Sequence, residues 1–519
     1  MMKNKINYLL YTVVLLYSAF TFCQEKSVYD LNFNPENYKM QELTLEGKSF
    51  KVRAYENIVY VANPVDTSYQ KLNIYIPEEY FSGKSINGYT GANAPIFFPN
   101  EIGGYMPAHP ATASPSKKGK FPSHMGDIPA GTKPPEGEKL PLGGLGSMPM
   151  GMMGPNRPSA VLTALSKGYV VASAGARGRT TKTGKAPAVI VDLKAAIRYL
   201  KFNDSRMAGD ANKIVSNGTS AGGAISALLG ATGNNTDYDP YLKALGAANA
   251  TDDIFAVSAY CPITNLDNAD MVYEWQFNGI NSTAQRKFPG MNTTAGNTAL
   301  TADQLKISSE LKKSFTAYVN NLQLTGSRGE KLTLDEKGNG AFKDYVKKCV
   351  IASAQKELDK GTDLAKHAWL TIKGKKVTDI DFESYIKYMT RMKTPPAFDA
   401  LDLSAGENQL FGTDKIDKQH FTAFSANNAQ VKSTADAAII KIMNPMKYIG
   451  LPNTNTSKYW RIRHGSKDSD TGLAVSVILA TYLENKGFNV DFALPWDKPH
   501  SGDYDLEELF AWADTICKK

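Results

Sequence analysis

A chain of 519 residues, 42% apolar and 21% charged, has the composition of a globular protein with ample material for a core, in one large decorated domain or several smaller ones. Its formal net charge of +8 is spread without a basic run, which reads as a solvated surface and gives no ground for nucleic-acid binding. The chain opens as a targeting signal. Residues 1–7 carry Lys3 and Lys5, and residues 8–22 form an apolar run of signal-peptide length, too short for an easy membrane span. Thr21-Phe22-Cys23 reads as a cleavage site, with a mature start near Gln24. Cys23 is a poor lipid-anchor site, because bulky Phe22 precedes it where such sites prefer a small residue. No other long apolar run follows, so the expected product is exported to the periplasm or the exterior, without a stable membrane span. Three cysteines remain, Cys261, Cys349 and Cys517, and an odd number allows at most one intramolecular pair. Cys261 lies in an apolar, strand-like run and reads as a small buried hydrophobe, while a Cys349–Cys517 pairing stays open. No Cys/His spacing resembles a zinc site, so no metal is expected.

Residues 46–80 alternate apolar and polar positions, as in Leu72-Asn73-Ile74-Tyr75-Ile76, and read as opening antiparallel strands. Pro95-Ile96-Phe97-Phe98-Pro99 is continuously apolar, which suits a strand buried on both faces. The Gly103-Gly104 pair just after it reads equally as an oxyanion-hole loop or as an ordinary turn. Residues 106–158 are rich in Pro, Gly, Met and Lys without periodicity. Met148, Met150, Met152 and Met153 there belong to a surface loop or to a soft apolar wall near a site, the loop being the simpler reading. A strand is expected over 168–174. Leu193, Ala196, Ile197 and Leu200 then share one helical stripe.

The next stretch organises the rest. Lys213-Ile214-Val215-Ser216 is β-prone and runs into Asn217-Gly218-Thr219-Ser220-Ala221-Gly222-Gly223, followed by a small-residue helical pattern. That is the layout of a nucleophile elbow, a strand–turn–helix that exposes one serine, with glycines two residues before and after it. Strand, helix, strand, helix in this order argues a largely parallel sheet with helices on both faces. Residues 254–259 supply another buried strand. From about 266 to 440 the chain turns polar, aromatic-rich and mainly helical, notably over 308–321, 342–358 and 382–392. It is too long for a loop and reads as an inserted cap over the carboxyl ends of the strands. The sheet resumes at 458–465, followed by a helix through Leu473, Val477, Ala480 and Leu483, a last strand over 489–494 and a closing amphipathic helix over 506–517. The expected organisation is a signal peptide over 1–23, a core over 24–266 carrying the loop 106–158, a cap over 267–440, and the rest of the core over 441–519.

An elbow serine needs a base and a carboxylate that orients it, in the chain order Ser, Asp or Glu, His. Of six histidines, only His464 and His500 follow late strands, and the order favours His500. His109, His124, His367 and His420 read as surface histidines of loops or cap. Asp468 and Asp470 both lie in the loop after the penultimate strand, and local spacing favours neither as the orienting acid. Two such close carboxylates fit two jobs, one on the imidazole and one on the substrate.

Gly218–Gly223, Arg461-Ile462-Arg463-His464-Gly465 with Asp468, Asp470 and Thr471, and Trp496-Asp497 with Pro499-His500-Ser501-Gly502-Asp503-Tyr504-Asp505 resemble the motifs of bacterial subtype B tannases. These are secreted α/β-hydrolases that cleave galloyl esters, and the resemblance runs from Pro99-Asn100 to the end of the chain. It implies Ser220 as nucleophile, Asp468 as triad acid and His500 as base. The segment from Lys393 to Asp399 and Gly406-Glu407-Asn408 resembles the family's cap, which implies that Lys393, Glu407 and Asp470 hold the galloyl hydroxyls. Vicinal phenols want two acceptors and a donor, and these three side chains supply that set. The expected activity is hydrolysis of galloyl and phenolic esters through an acyl-enzyme, with Ala221 and Gly104 N–H groups as oxyanion hole and no cofactor. The partner is then a small phenolic ester. A feruloyl or general carboxylesterase is the alternative within the class, and a silent ligand-binding protein the alternative outside it. The segment 106–158 departs from the family's shared pattern.

Overall fold

The computed structural model describes residues 29–113, 159–284 and 297–518. The expected signal peptide, Cys23, His124 and the four methionines of 148–153 lie outside these residues. Strands β2 (Lys48–Val59) and β3 (Lys71–Pro77) pair antiparallel, as the alternation over 46–80 predicts, and β1 (Lys39–Leu45), ahead of that stretch, pairs antiparallel with β2. β4 (Pro95–Pro99) is buried at every position, and α1 (Ala160–Ser166), β5 (Val170–Ala174) and α2 (Ala188–Phe202) follow. Helix α1 was not anticipated. Its N-cap Ser159 accepts the Leu162 N–H at 3.4 Å. β6 (Asp210–Thr219) runs into α3 (Ala221–Ala231), then α4 (Asp239–Ala244) and β7 (Ala256–Tyr260).

A long insertion separates β7 from its sheet neighbour. It comprises α5 (Leu266–Phe277), β8 (Ser282–Ala284), β9 (Asn297–Ala299), α6 (Ala302–Asn321) and α7 (Ala341–Asp359). It continues with the hairpin β10 (Leu370–Lys373) and β11 (Lys376–Ile380), then α8 (Phe382–Met389), α9 (Gly406–Leu410), α10 (Ala423–Asn428) and α11 (Ala437–Ile442). The small strands and short helices add to the three expected helices, and α8 ends at Met389 rather than near 392. The chain returns to the sheet with β12 (Tyr459–Arg463), α12 (Leu473–Asn485), β13 (Asn489–Ala493) and α13 (Leu506–Cys517).

The main sheet has nine strands in the order β1-β2-β3-β5-β4-β6-β7-β12-β13. From β5 to β13 all pairs are parallel. Parallel strands of this kind need both faces covered, which is why β4, β5 and β7 read as near-continuous small and apolar runs. The carboxyl ends of β4, β6, β12 and β13 lie along one rim, and the loops leaving them carry Gly104, Ser220, Asp468 and His500. Among the described residues no helix is long and apolar enough to cross a membrane. All three described cysteines are unpaired thiols, so Cys349 and Cys517 form no bridge.

The insertion is built around Trp275 of α5. Its ring lies 5.2 Å from Phe315 of α6, 5.7 Å from Phe342 of α7 and 5.8 Å from Phe382 of α8, and its Nε1–H donates to Gly338 O at 3.0 Å. One aromatic thus ties four helices together, each ring pair adding to the area buried. Trp275→Ala is expected to cost about 3–5 kcal/mol of stability, with a lowered melting temperature in thermal unfolding; an unshifted midpoint contradicts the central role of this ring.

Candidate active site

Ser220 stands between β6 and α3 with φ 59° and ψ −121°, a conformation that L-residues adopt only under constraint. Its N–H donates to Tyr260 O at 2.9 Å, and its carbonyl accepts the Ala224 N–H at 2.9 Å, so neighbouring elements hold the strained turn from both sides. The flanking glycines are required by contact. A Cβ on Gly218 would stand 2.4 Å from Gly222 O, and one on Gly222 would stand 2.5 Å from Asn100 Oδ1. Asn100 stitches the loop after β4 to this elbow, its amide donating to Asn217 O, Gly222 O and Ser226 Oγ at 3.1, 3.2 and 3.0 Å.

That loop turns at Gly103–Met106, where the Met106 N–H donates to Gly103 O at 2.9 Å. Gly104 and Tyr105 have φ of 54° and 57°, two successive left-handed residues. For tyrosine this costs roughly 1–2 kcal/mol, so surrounding structure must hold the turn. Gly104 and Ala221 both line the cavity at Ser220. The Gly103-Gly104 pair therefore forms a turn that also faces the candidate nucleophile.

Asp468 and His500 meet because the loops after β12 and β13 interlock. Ser466 N–H donates to Pro495 O at 2.9 Å, Lys467 N–H to Lys498 O at 3.0 Å, and Asp497 N–H to Ser466 Oγ at 2.7 Å. His500 Nδ1–H donates to Asp468 Oδ2 at 2.7 Å, while Oδ1 accepts the N–H groups of Asp470 and Thr471 at 2.9 and 3.3 Å. This separates the two aspartates left open by spacing: Asp468 lies behind the imidazole and Asp470 lines the cavity. Burial pushes the Asp468 carboxyl up, but the His500 imidazole reverses this and holds it below the usual carboxylate range. Burial likewise pushes His500 down, and the Asp468 carboxylate more than reverses it, leaving the imidazole raised.

His464 is fully buried behind this pair, with Nδ1 at 3.0 Å from Ser476 Oγ and Nε2 at 3.7 Å from Asp468 Oδ2. Burial lowers its pKa, which favours a neutral ring. Cys261 is buried as expected, but it does more than fill space. Its thiol donates to Ser501 O at 3.4 Å and abuts His500, and burial pushes its pKa up. Donor atoms of Cys261, His464 and Asp468, and of Asp468, Asp470 and His500, lie within 4.8 Å of one another. Both sets contain Asp468, which the imidazole of His500 already engages. Two further expectations fail: His367 and His420 are not surface residues. His367 packs edge-on against Trp369, Tyr388 and Trp496, and His420 Nδ1 lies 2.6 Å from the buried Asp399.

Ser220, His500, Lys393, Glu407 and Asp470 line one cavity of about 300 Å³, together with Tyr105 and Phe398. Lys393 follows α8, with its ammonium 4.0 Å from the centroid of the Phe398 ring. Its backbone is fixed by two residues the sequence did not single out. The Tyr273 hydroxyl accepts the Met392 and Lys393 N–H groups, both at 3.1 Å, and donates to Ser469 O at 2.9 Å. Arg391, fully buried and ion-paired with Glu274, donates to Lys393 O at 3.2 Å. Glu407 sits in the first turn of α9, which is anchored from below by Asn408 Nδ2–H to Asp399 Oδ1 at 2.7 Å. Asp399 also accepts the Phe421 and Thr422 N–H groups at 2.9 and 2.8 Å. No local pattern reveals the Tyr273 and Arg391 supports, since Tyr273 is 120 residues from Lys393 and Glu274 is 117 from Arg391.

Comparison with known proteins gives the family. A family model described as BD-FAE, an α/β-hydrolase family, matches residues 151–305. No curated protein matches the chain. Among solved structures, a Fusobacterium nucleatum tannase is 48% identical, with 94% of this chain and 100% of that one covered and a TM-score of 0.83. The native tannin acyl hydrolase of Lactobacillus plantarum is 45% identical over 94% of this chain and 99% of that one, with a TM-score of 0.82. A tannin acyl hydrolase in complex with ethyl gallate matches with the same identity, coverage and TM-score. At that level of identity over nearly the full length of each relative, the chain belongs to the tannase family, carboxylic ester hydrolases on the α/β-hydrolase fold.

Proposed function

We propose that this enzyme hydrolyses galloyl esters through Ser220, His500 and Asp468. The observation that carries the reading is one cavity lined at once by a strained serine, a carboxylate-bound imidazole, and Lys393, Glu407 and Asp470. The bound ethyl gallate of the tannin acyl hydrolase supports the same substrate class here. Ser220 Oγ attacks the ester carbonyl carbon as His500 Nε2 takes its proton, and Asp468 stabilises the imidazolium that forms. Ala221 and Gly104 N–H groups receive the oxyanion. His500 then protonates the departing alcohol, and water, deprotonated by the same imidazole, releases gallate from the acyl-enzyme. Lys393 donates to the ring hydroxyls, and Glu407 and Asp470 accept from them. A site of this kind rejects rings that lack the hydroxyls, because its polar groups would be left unpaired.

The insertion 266–442 acts in this reading as a cap that closes the acyl pocket over the sheet rim. The charged-then-apolar start of the sequence supports export of the enzyme to the periplasm or the exterior.

Methyl gallate is expected to be preferred over methyl ferulate by about 100-fold or more in kcat/KM, and a ferulate preference would reverse the substrate assignment. Ser220→Ala should abolish turnover while gallate still binds by calorimetry; residual activity at the wild-type level would remove Ser220 as nucleophile. The pH profile tests the acid–base pair. Because Asp468 raises His500 above its ordinary 6.5, and the base works only when neutral, the acid limb of kcat/KM is expected above that pH. Asp468→Asn should move the limb to lower pH and cost up to about 10⁴ in kcat. A limb that stays in place would separate Asp468 from the base.

A further inference from the structure

We propose that Arg179 is a positioning residue that holds the oxyanion turn of the core and the Glu407-bearing helix of the insertion in one register. The proposal rests on the cavity assignment above. Arg179 lies in the loop after β5 and is buried, 5% exposed. Its backbone N–H donates to Tyr105 O at 2.8 Å and its Nε–H to Gly104 O at 2.7 Å, so one residue grips both left-handed residues of the turn. The other end of the same guanidinium reaches the insertion, with Nη1–H donating to Gln409 Oε1 at 2.7 Å. Gln409 is two residues beyond Glu407 on α9. Gly406, on the other side of Glu407, packs directly on the guanidinium: a Cβ there would stand 2.9 Å from Arg179 Cζ.

The loop that carries Arg179 is itself riveted on both sides. A Cβ on Gly178 would stand 2.1 Å from Pro107 N, so the loop presses on the oxyanion turn. Lys185 donates to Arg179 O at 2.8 Å and to Asp417 Oδ1 at 2.6 Å, and Ala186 N–H donates to Leu410 O at 2.8 Å, which secures the far end of α9. Burial lowers the Arg179 pKa, and the Glu407 and Asp417 carboxylates oppose that shift. A planar fork of donors fixes both partners in one frame, which a single ammonium cannot do. Transition-state stabilisation at Gly104 and hydroxyl recognition at Glu407 are therefore set by the same side chain.

The test compares kcat and KM for methyl gallate and methyl benzoate in the full-length enzyme. Arg179→Ala is expected to lower kcat on both esters by about 10- to 100-fold, as misplacing a reacting group does. It should also lower the gallate-to-benzoate ratio of kcat/KM by about tenfold, because Glu407 loses its bearing. The double variant with Glu407→Ala should then be non-additive in that ratio. A merely structural role predicts a smaller active fraction, with kcat reduced equally on both esters and KM and ratio untouched, and that outcome overturns the proposal. So does an unchanged kcat. Should Arg179→Ala fail to fold, Arg179→Lys and Gln409→Ala decide the matter: each is expected to lower the ratio, and a ratio within about twofold of wild type in both sinks the proposal. The cavity assignment is checked separately. Glu407→Ala alone leaving the ratio unaltered would overturn that assignment, whatever Arg179 does.

Discussion

The buried hydrogen bond from His500 to Asp468 is the constraint around which the rim is arranged. Neither residue could hold its state alone, since a lone carboxylate or imidazolium loses far more solvation on burial than a neutral group. The pair survives because Asp468 accepts two backbone N–H groups on one oxygen and the imidazole on the other. That geometry requires the loops of β12 and β13 to cross closely. Gly465 is the point of crossing, for a Cβ there would lie 2.1 Å from Lys498 O. Sheet order follows from the same need, since β12 and β13 must be parallel neighbours for their loops to leave the same rim.

Hydrogen bonds to backbone contribute to joining the insertion to this rim. Tyr273 is the clearest case: one hydroxyl satisfies two N–H groups beside Lys393 and donates to the carbonyl between Asp468 and Asp470. Asp468, Asp470 and Lys393 are thereby spaced by a single side chain. The Arg391–Glu274 pair, fully buried, gives the same segment a second anchor. Breaking one partner of such a pair strands a charge, so it enforces a particular chain path more than it adds stability.

Much of this was legible in the sequence because the elbow is a local object. The glycines around Ser220 stand at a fixed spacing that the turn itself demands, as in the contact of Gly218 with Gly222 O, although Gly222 also meets the distant Asn100; strand periodicity reports burial one element at a time. Order along the chain then identified His500. The acid required more: Asp468 and Asp470 are equivalent by spacing, and the family resemblance made the choice that the hydrogen bond to His500 also makes. Other features are invisible to local reading. Arg179 meets partners 75 and 230 residues away, and nothing in its neighbourhood marks it. His367 and His420 looked like surface residues because their aromatic and carboxylate neighbours come from other segments. Helices α9 to α11 have five or six residues each, too few for a hydrophobic stripe to repeat.

In the proposed reading the acyl pocket takes Lys393 and Glu407 from the insertion and Asp470 from the core, with no single segment supplying all three. A phenolic ring held by the three is then a cross-brace between the two parts of the molecule. By linkage, whatever occupies the pocket resists their separation by RT ln(1 + [L]/Kd), so the released acid, while it lingers, also locks the door through which it must leave. Tight recognition of the ring and rapid departure of the product are therefore opposing demands on the same three side chains.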